Sequence, residues 1–244
     1  MLGWIEYDER CAKPSLTQRQ IMGGTFLALR LGKPSGGVFA RHHAARWARR
    51  MVEQGVRSAV FSADFPYTSL FIRQGIRFVD PLPLRRALCA SCVHRRLEEL
   101  GICAARAVVA IAAQYMSREV EETIRAIAVN YRYILLSVGS GGEAFARDML
   151  RRYGTALLLS PTREQLERAD ALILFAPRPD LRQENRVLCV LHHGGKSGRG
   201  YMDLRLADRP GMQMDPDWPQ EQLAAALYGM GVLKPEMVTC EIIC

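Results

Sequence analysis

The sequence predicts an α/β protein, built as a three-layer α/β/α sandwich around a mostly parallel sheet. Three observations predict it. Apolar runs of strand length, such as 107–113, show no polar alternation, which marks strands covered on both faces. Helix-period segments of about 10 to 17 residues separate these runs, so the connections are right-handed crossovers. Finally, the apolar run 26–31, the glycine-rich loop 32–37 and the helical segment after it form a strand, loop and helix unit. Such a unit sets backbone N–H groups and a helix N-terminus where an anion can sit.

Taken in order, residues 1–23 are weakly patterned, with a short strand at Trp4–Tyr7 and a turn or short helix over Leu16–Met22. After the glycine loop, Val38, Ala45, Trp47, Ala48, Met51 and Val52 recur at helical spacing opposite Arg41, Arg49, Arg50 and Glu53, predicting a helix over 38–54 that Gly55 stops. A strand follows at 58–64, then a short helix over 69–74, a strand at 76–80 and a long helix over 84–100 closed by Gly101. Beyond the strand at 107–113, Ser117 with Glu119, Glu121 and Glu122 reads as an N-cap and acidic first turn. The strand 133–138 ends in Gly139-Ser140-Gly141-Gly142, followed by a helix over 143–153, a strand at 155–160, a helix over 162–168 and strands at 171–175 and 187–191. Polar loops at 192–203 and 205–218, a helix over 220–228 and a tail complete the chain.

At 244 residues the chain is long enough for one large or two small domains. No Pro/Gly/Ser-rich linker divides it, so the expectation is one domain over 24–244 preceded by an N-terminal extension, 1–23. A net charge of +8 admits a nucleic acid or an anionic membrane surface as partner. The arginines are dispersed, however, as in Arg49-Arg50, Arg85-Arg86, Arg95-Arg96 and Arg151-Arg152, which is also how a solvated helix surface reads. No apolar run approaches the ~20 residues of a transmembrane helix, and the opening residues lack a signal pattern, so a cytoplasmic location is expected. Seven scattered cysteines fit a reducing compartment, with Cys as a small buried hydrophobe.

Three smaller constellations carry chemistry on paper. Cys89, Cys92 and His94 invite a metal reading, but no second Cys-x-x-Cys completes four ligands, and helix packing explains them. Gly195-Lys196-Ser197 looks like the end of a phosphate loop without the earlier glycine that such a loop requires. His42 and His43 begin the helix after the glycine loop. No metal site is expected.

The ordered motifs resemble a known family. Leu31–Val38, the helix behind it and Glu53–Asp64 resemble the start of MinD/ParA-type P-loop ATPases, whose deviant loop opens on a Gly-Lys pair; Asn130–Gly139 and Leu157–Thr162 are similar to the family's later strands. The resemblance implies a P-loop NTPase-like fold, with Gly32, Lys33, Ser35, Gly36, Gly37 and Val38 around any nucleotide, Asp64 at the acidic position after the next strand, and Gly139 closing the second signature. Lys33 matches the lysine that in the family reaches phosphates across a dimer. Val38 stands where the second loop lysine is found, Phe39 at the Mg²⁺-binding hydroxyl, Ser62 at the water-orienting Asp and Ser137 at the Asp that holds the metal's water shell. Phosphoryl transfer rests on charge neutralisation by Mg²⁺ and Lys. The resemblance therefore implies a degenerate ATPase, binding ATP or ADP without a well-formed Mg²⁺ site and acting as a homodimer or partner-docking localisation factor like the TadZ/CpaE-type pilus-assembly proteins. A second resemblance points elsewhere. Gly139–Gly142 is similar to the dinucleotide loop of shikimate-dehydrogenase-like Rossmann domains, with Arg163 placed for an NADP phosphate, which implies an NAD(P)-binding oxidoreductase.

Overall fold

A computed structural model describes residues 1–8, 11, 13–32, 38–192, 199–207 and 218–243. In chain order the elements are β1 (Leu2–Tyr7), β2 (Ser15–Ile21), β3 (Gly24–Leu31), α1 (Val38–Glu53), β4 (Ser58–Phe61), α2 (Thr68–Arg73), β5 (Arg77–Phe78), α3 (Leu82–Glu99), β6 (Val108–Ala113), α4 (Arg118–Ala128), β7 (Tyr133–Val138), α5 (Gly142–Tyr153), β8 (Leu157–Leu159), α6 (Arg163–Arg168), β9 (Ala171–Leu174), β10 (Val187–Val190), β11 (Met202–Leu206), α7 (Gln220–Gly229), a 3₁₀ turn at Pro235–Met237, and β12 (Val238–Ile242). The α/β class and the mostly parallel pairing are as predicted. The single domain is not: two five-stranded sheets form, in two compact units, Met1–Pro81 with Arg205–Val238, and Leu82–Leu204 with Thr239–Cys244.

In the first unit the strand order is β2-β3-β1-β4-β5. The presumed N-terminal extension therefore supplies the middle strand. β1 pairs in parallel with β3, Trp4 opposite Ala28, and with β4, Trp4 opposite Val60. Gly3 is small because α1 presses on the strand, and a Cβ there would stand 2.8 Å from Met51 Cε. The expected turn or helix at 16–22 is instead β2, antiparallel to β3 and joined to it through Met22 and Gly23, both at positive φ (52° and 84°). A two-residue hairpin needs that left-handed pair. Met51, Ala48 and Ala44 of α1 pack with Phe61, Phe65 and Phe71 into one core.

In the second unit all five strands are parallel, in the order β10-β9-β6-β7-β8. The chain winds outward from β6 to β8, then returns to the other side of β6 for β9 and β10. β9 and β10 are buried at every position, which is why they read as unbroken apolar runs. One face (Ala110, Ala112, Leu135, Leu172, Leu174) packs under Leu166 and Ala169 at α6, while Cys189 on the opposite face meets Cys89 of α3, giving three layers. The polar loops read at 192–203 and 205–218, together with the tail, conceal a further pair, β11 with β12.

Candidate ligand-binding cleft

Parallel strands deliver all their carboxyl ends to one edge of the sheet, the edge where such sheets bind ligands. The loops at that edge are fastened together. Gly139 N–H donates to the Gln114 carbonyl (3.1 Å) and Met116 N–H to the Ser140 carbonyl (3.2 Å), extending the β6–β7 ladder past the strand ends. A Cβ on Gly139 would lie 2.8 Å from the Gln114 oxygen, Gly141 sits at φ +82°, and a Cβ on Gly142 would lie 2.7 Å from Val138 Cγ2. The glycines are thus required by the close meeting of loop, strand and helix.

The same glycines leave the start of α5 bare. α4 is capped by Ser117, whose hydroxyl accepts from Val120 N–H, and α6 by a reciprocal Thr162/Gln165 box. α5 begins on Gly141 with no side-chain cap, so its first N–H groups have no side-chain acceptor. These N–H groups border a cleft of about 340 Å³ lined by Gly139–Gly142, Glu143, Arg147 and Ser160. Backbone donors and a guanidinium suit an anion, while the Glu143 carboxylate suits hydroxyl donors.

Toward β9 the edge is occupied by ion pairs. Arg178 donates to Ser137 Oγ (3.1 Å) and makes two 2.8 Å bonds to Asp180, holding that carboxyl at about 2. A guanidinium therefore faces the hydroxyl that stands at the metal-shell Asp position of the P-loop resemblance. Glu119, bonded to Ser117 and near Arg86, is held below the usual carboxylate range, so the α4 N-terminus carries negative charge where a dinucleotide fold puts its pyrophosphate.

The sequence-predicted residues fall in both units. Gly32 and Asp64 follow β3 and β4, parallel strands on either side of β1, and so share one edge of the first sheet. A Cβ on Gly32 would lie 1.8 Å from the Cys11 carbonyl oxygen, so packing of the β1–β2 connection accounts for that glycine. Asp64 is exposed. Lys33, Ser35, Gly36 and Gly37 lie outside the described residues, as does the side chain of Val38, the first residue of α1. Gly139 belongs to the second sheet, so the two P-loop-like signature strands, β3 and β7, do not share a sheet. Gly139–Gly142 follows β7, the second strand to form in its sheet, whereas a dinucleotide loop follows the first, and Arg163 is bonded to Glu167 at 2.8 Å.

His42 and His43 are exposed on α1. Cys89, Cys92 and His94 diverge: Cys92 is disulfide-bonded to Cys240, Cys89 Sγ lies 3.5 Å from Cys189 Sγ, and His94 Nδ1 lies 2.8 Å from the Tyr131 hydroxyl. Among the described residues no three His, Cys, Asp or Glu side chains are grouped to hold a metal, and no helix is long and apolar enough to cross a membrane. Residues 193–198, with Lys196 and Ser197, lie outside the described part. Sequence reading missed Glu143, Arg147 and Arg178. The first two were within reach, sitting in the first turns of a helix that follows a glycine loop; Arg178 gives no local signal.

No family model and no curated protein matches the chain. Among solved structures it is similar to L-tryptophan dehydrogenase from Nostoc punctiforme, at 12% identity and a TM-score of 0.36, over 86% of this chain and 57% of that one. It is similar too to a putative aspartate carbamoyltransferase of Leishmania major Friedlin (16%, TM-score 0.28, 60% and 50%) and to the catalytic subunit of M. jannaschii aspartate transcarbamoylase (12%, 0.32, 95% and 82%). The chain thus spans little more than half of the first and half of the second. Likenesses this slight carry no argument about activity.

Proposed function

We propose that the second unit is a Rossmann-type binding module for a small phosphorylated ligand of mononucleotide size. The observation that carries this is the uncapped start of α5 on a cleft whose walls hold both Arg147 and Glu143. In this reading the phosphate accepts from the first N–H groups of α5 and from Arg147, and Glu143 accepts from ribose hydroxyls. A volume of about 340 Å³ is at the small end of ligand pockets and suits a mononucleotide better than a dinucleotide. Acidic residues at the start of α4 favour the same choice over NAD(P). Calorimetric titration with AMP, ADP and NADP(H), with and without Mg²⁺, tests it. Binding is expected for the mononucleotides, independent of Mg²⁺, and about tenfold weaker in Arg147→Ala, the loss typical of one charge-assisted contact. No heat with any of them overturns the proposal.

The degenerate ATPase reading keeps one specific observation in its favour: an interior parallel strand, β3, does lead through Gly32 to the helix α1, with Asp64 at the same sheet edge. Under that reading ATP binding is lost in Lys33→Ala and untouched by Arg147→Ala, and the protein acts as a dimeric localisation factor.

A further inference from the structure

Some elements pair their arginines locally, and one stretch of the first unit does not. On α4 and α6 the arginines pair with a glutamate one turn away: Arg118 with Glu122, Arg125 with Glu121, Arg163 with Glu167, and Arg168 with Glu164, all at 2.7 to 2.8 Å. In the first unit Arg46, Arg49, Arg50, Arg57, Arg73 and Arg77 are all exposed, and none has an ion pair among the described residues.

Local bonds bring three of these six, Arg49, Arg57 and Arg77, to one end of the unit, with Arg46 and Arg50 on the same helix as Arg49 and Arg73 next to Gln74, the partner of Arg49. α1 connects parallel strands and therefore runs back along the sheet, bringing its last turns to the amino ends of β4 and β5. There Arg49 Nε donates to Gln74 Oε1 (3.3 Å), Arg57 Nη1 to the Val52 carbonyl (3.3 Å), and Arg77 N–H to the Arg57 carbonyl (2.9 Å). Between residues 46 and 77 the only acids are Glu53 and Asp64, and Asp64 follows β4 at the opposite edge. Like charges that repel are here held together on rigid elements without neutralising partners. A polyanion would offset that repulsion.

We infer that this face binds the phosphodiester backbone of a nucleic acid. The span 46–77 contains six arginines and no lysine, and the planar guanidinium fork bonds phosphate bidentately where an ammonium offers only a point charge. An anionic membrane fits less well. Stable attachment there calls for an inserted apolar face beside the basic one, and the apolar residues of α1, Ala44, Ala48 and Met51, are buried in the core of their own unit.

Fluorescence anisotropy with labelled duplex DNA and single-stranded RNA of about 20 nucleotides, at about 50 and about 200 mM salt, tests the assignment. The triple variant Arg46→Gln/Arg49→Gln/Arg50→Gln is expected to bind about tenfold more weakly and to lower the slope of log K against log salt by about two. The control Arg118→Gln/Arg168→Gln keeps wild-type affinity, and Glu53→Gln binds more tightly. The Glu53 variant adds affinity without removing an arginine, so it decides the matter should the triple variant lose its fold by circular dichroism. Absence of binding at low salt, equal losses in triple variant and control, or sedimentation with phosphatidylserine vesicles in place of nucleic-acid binding would each overturn it.

Discussion

Tyr131 shows how a side chain outside any cleft still gives a measurable signal. It is 2% exposed, and its hydroxyl lies 2.8 Å from His94 Nδ1, while His94 Nε2 lies 3.4 Å from Glu98. With Nε2–H directed at Glu98, Nδ1 accepts and the tyrosine donates. Burial, reinforced by the Glu98 charge, raises the phenol from 10.0 to about 12. A raised folded-state value means that the stability is fully present below pH 10 and is lost as pH rises toward 12, because the unfolded chain ionises first. Thermal melts should show this alkaline decline in the wild type and a flatter one in Tyr131→Phe, which at neutral pH should cost about 0.5 to 1.5 kcal/mol for the lost hydrogen bond. None of this was legible in the sequence, since the partners are 37 residues apart. Gly32 teaches the converse. Its glycine was legible, but its reason was not, because the Cys11 carbonyl that excludes a Cβ belongs to a different connection.

Among elements, the longer ones with a buried, periodic signal were legible, and short or edge strands were not. β6, β9 and β10 announce themselves as apolar runs, and α4 by its Ser117 cap. β2 buries only one of seven positions, so its polar sequence carries no strand pattern. β11 and β12 were read as loop and tail for a different reason: each alternates buried and less buried positions, but over only five residues beside polar loops. The glycine loop before α5 was seen as a motif, yet its place after the second strand of its sheet depends on strand order, which crossovers decide. The loop also makes a prediction about packing. In Gly139→Ala the new methyl meets the fixed backbone oxygen of Gln114 at 2.8 Å, whereas in Gly142→Ala it meets the end of the Val138 side chain, which can rotate. Overpacking against a rigid neighbour typically costs about 1 to 3 kcal/mol. Gly139→Ala should therefore lower the thermal midpoint more than Gly142→Ala in a differential scanning experiment, and the reverse order would mean that the two loops are not fastened as described.

For the molecule as a whole, the division into two units escaped sequence reading because no linker marks it. The chain passes between units at Pro81–Leu82, then within β11, then within β12, all places where ordinary element sequence continues. The closing segment, Thr239–Cys244, returns to the second unit, and there Cys240 is bonded to Cys92 of α3 across 148 residues of chain. Reading every cysteine as a separate buried thiol missed this, since nothing local relates position 92 to position 240. Cys89, one turn earlier on α3, remains a thiol pushed well above its ordinary value by its hydrogen bond with Cys189 and by burial, so at neutral pH it stays protonated and does not attack the neighbouring disulfide. A cross-link over so long a loop restricts the unfolded chain strongly, and removing one typically costs about 2 to 5 kcal/mol. Alkylation in denaturant should accordingly label five of the seven cysteines before reduction and all seven after it. Cys240→Ser should lower the urea midpoint of the oxidised protein while leaving that of the reduced protein nearly unchanged. Labelling of all seven without reductant would remove the cross-link and, with it, the covalent reason for the C-terminal strand to stay on α3.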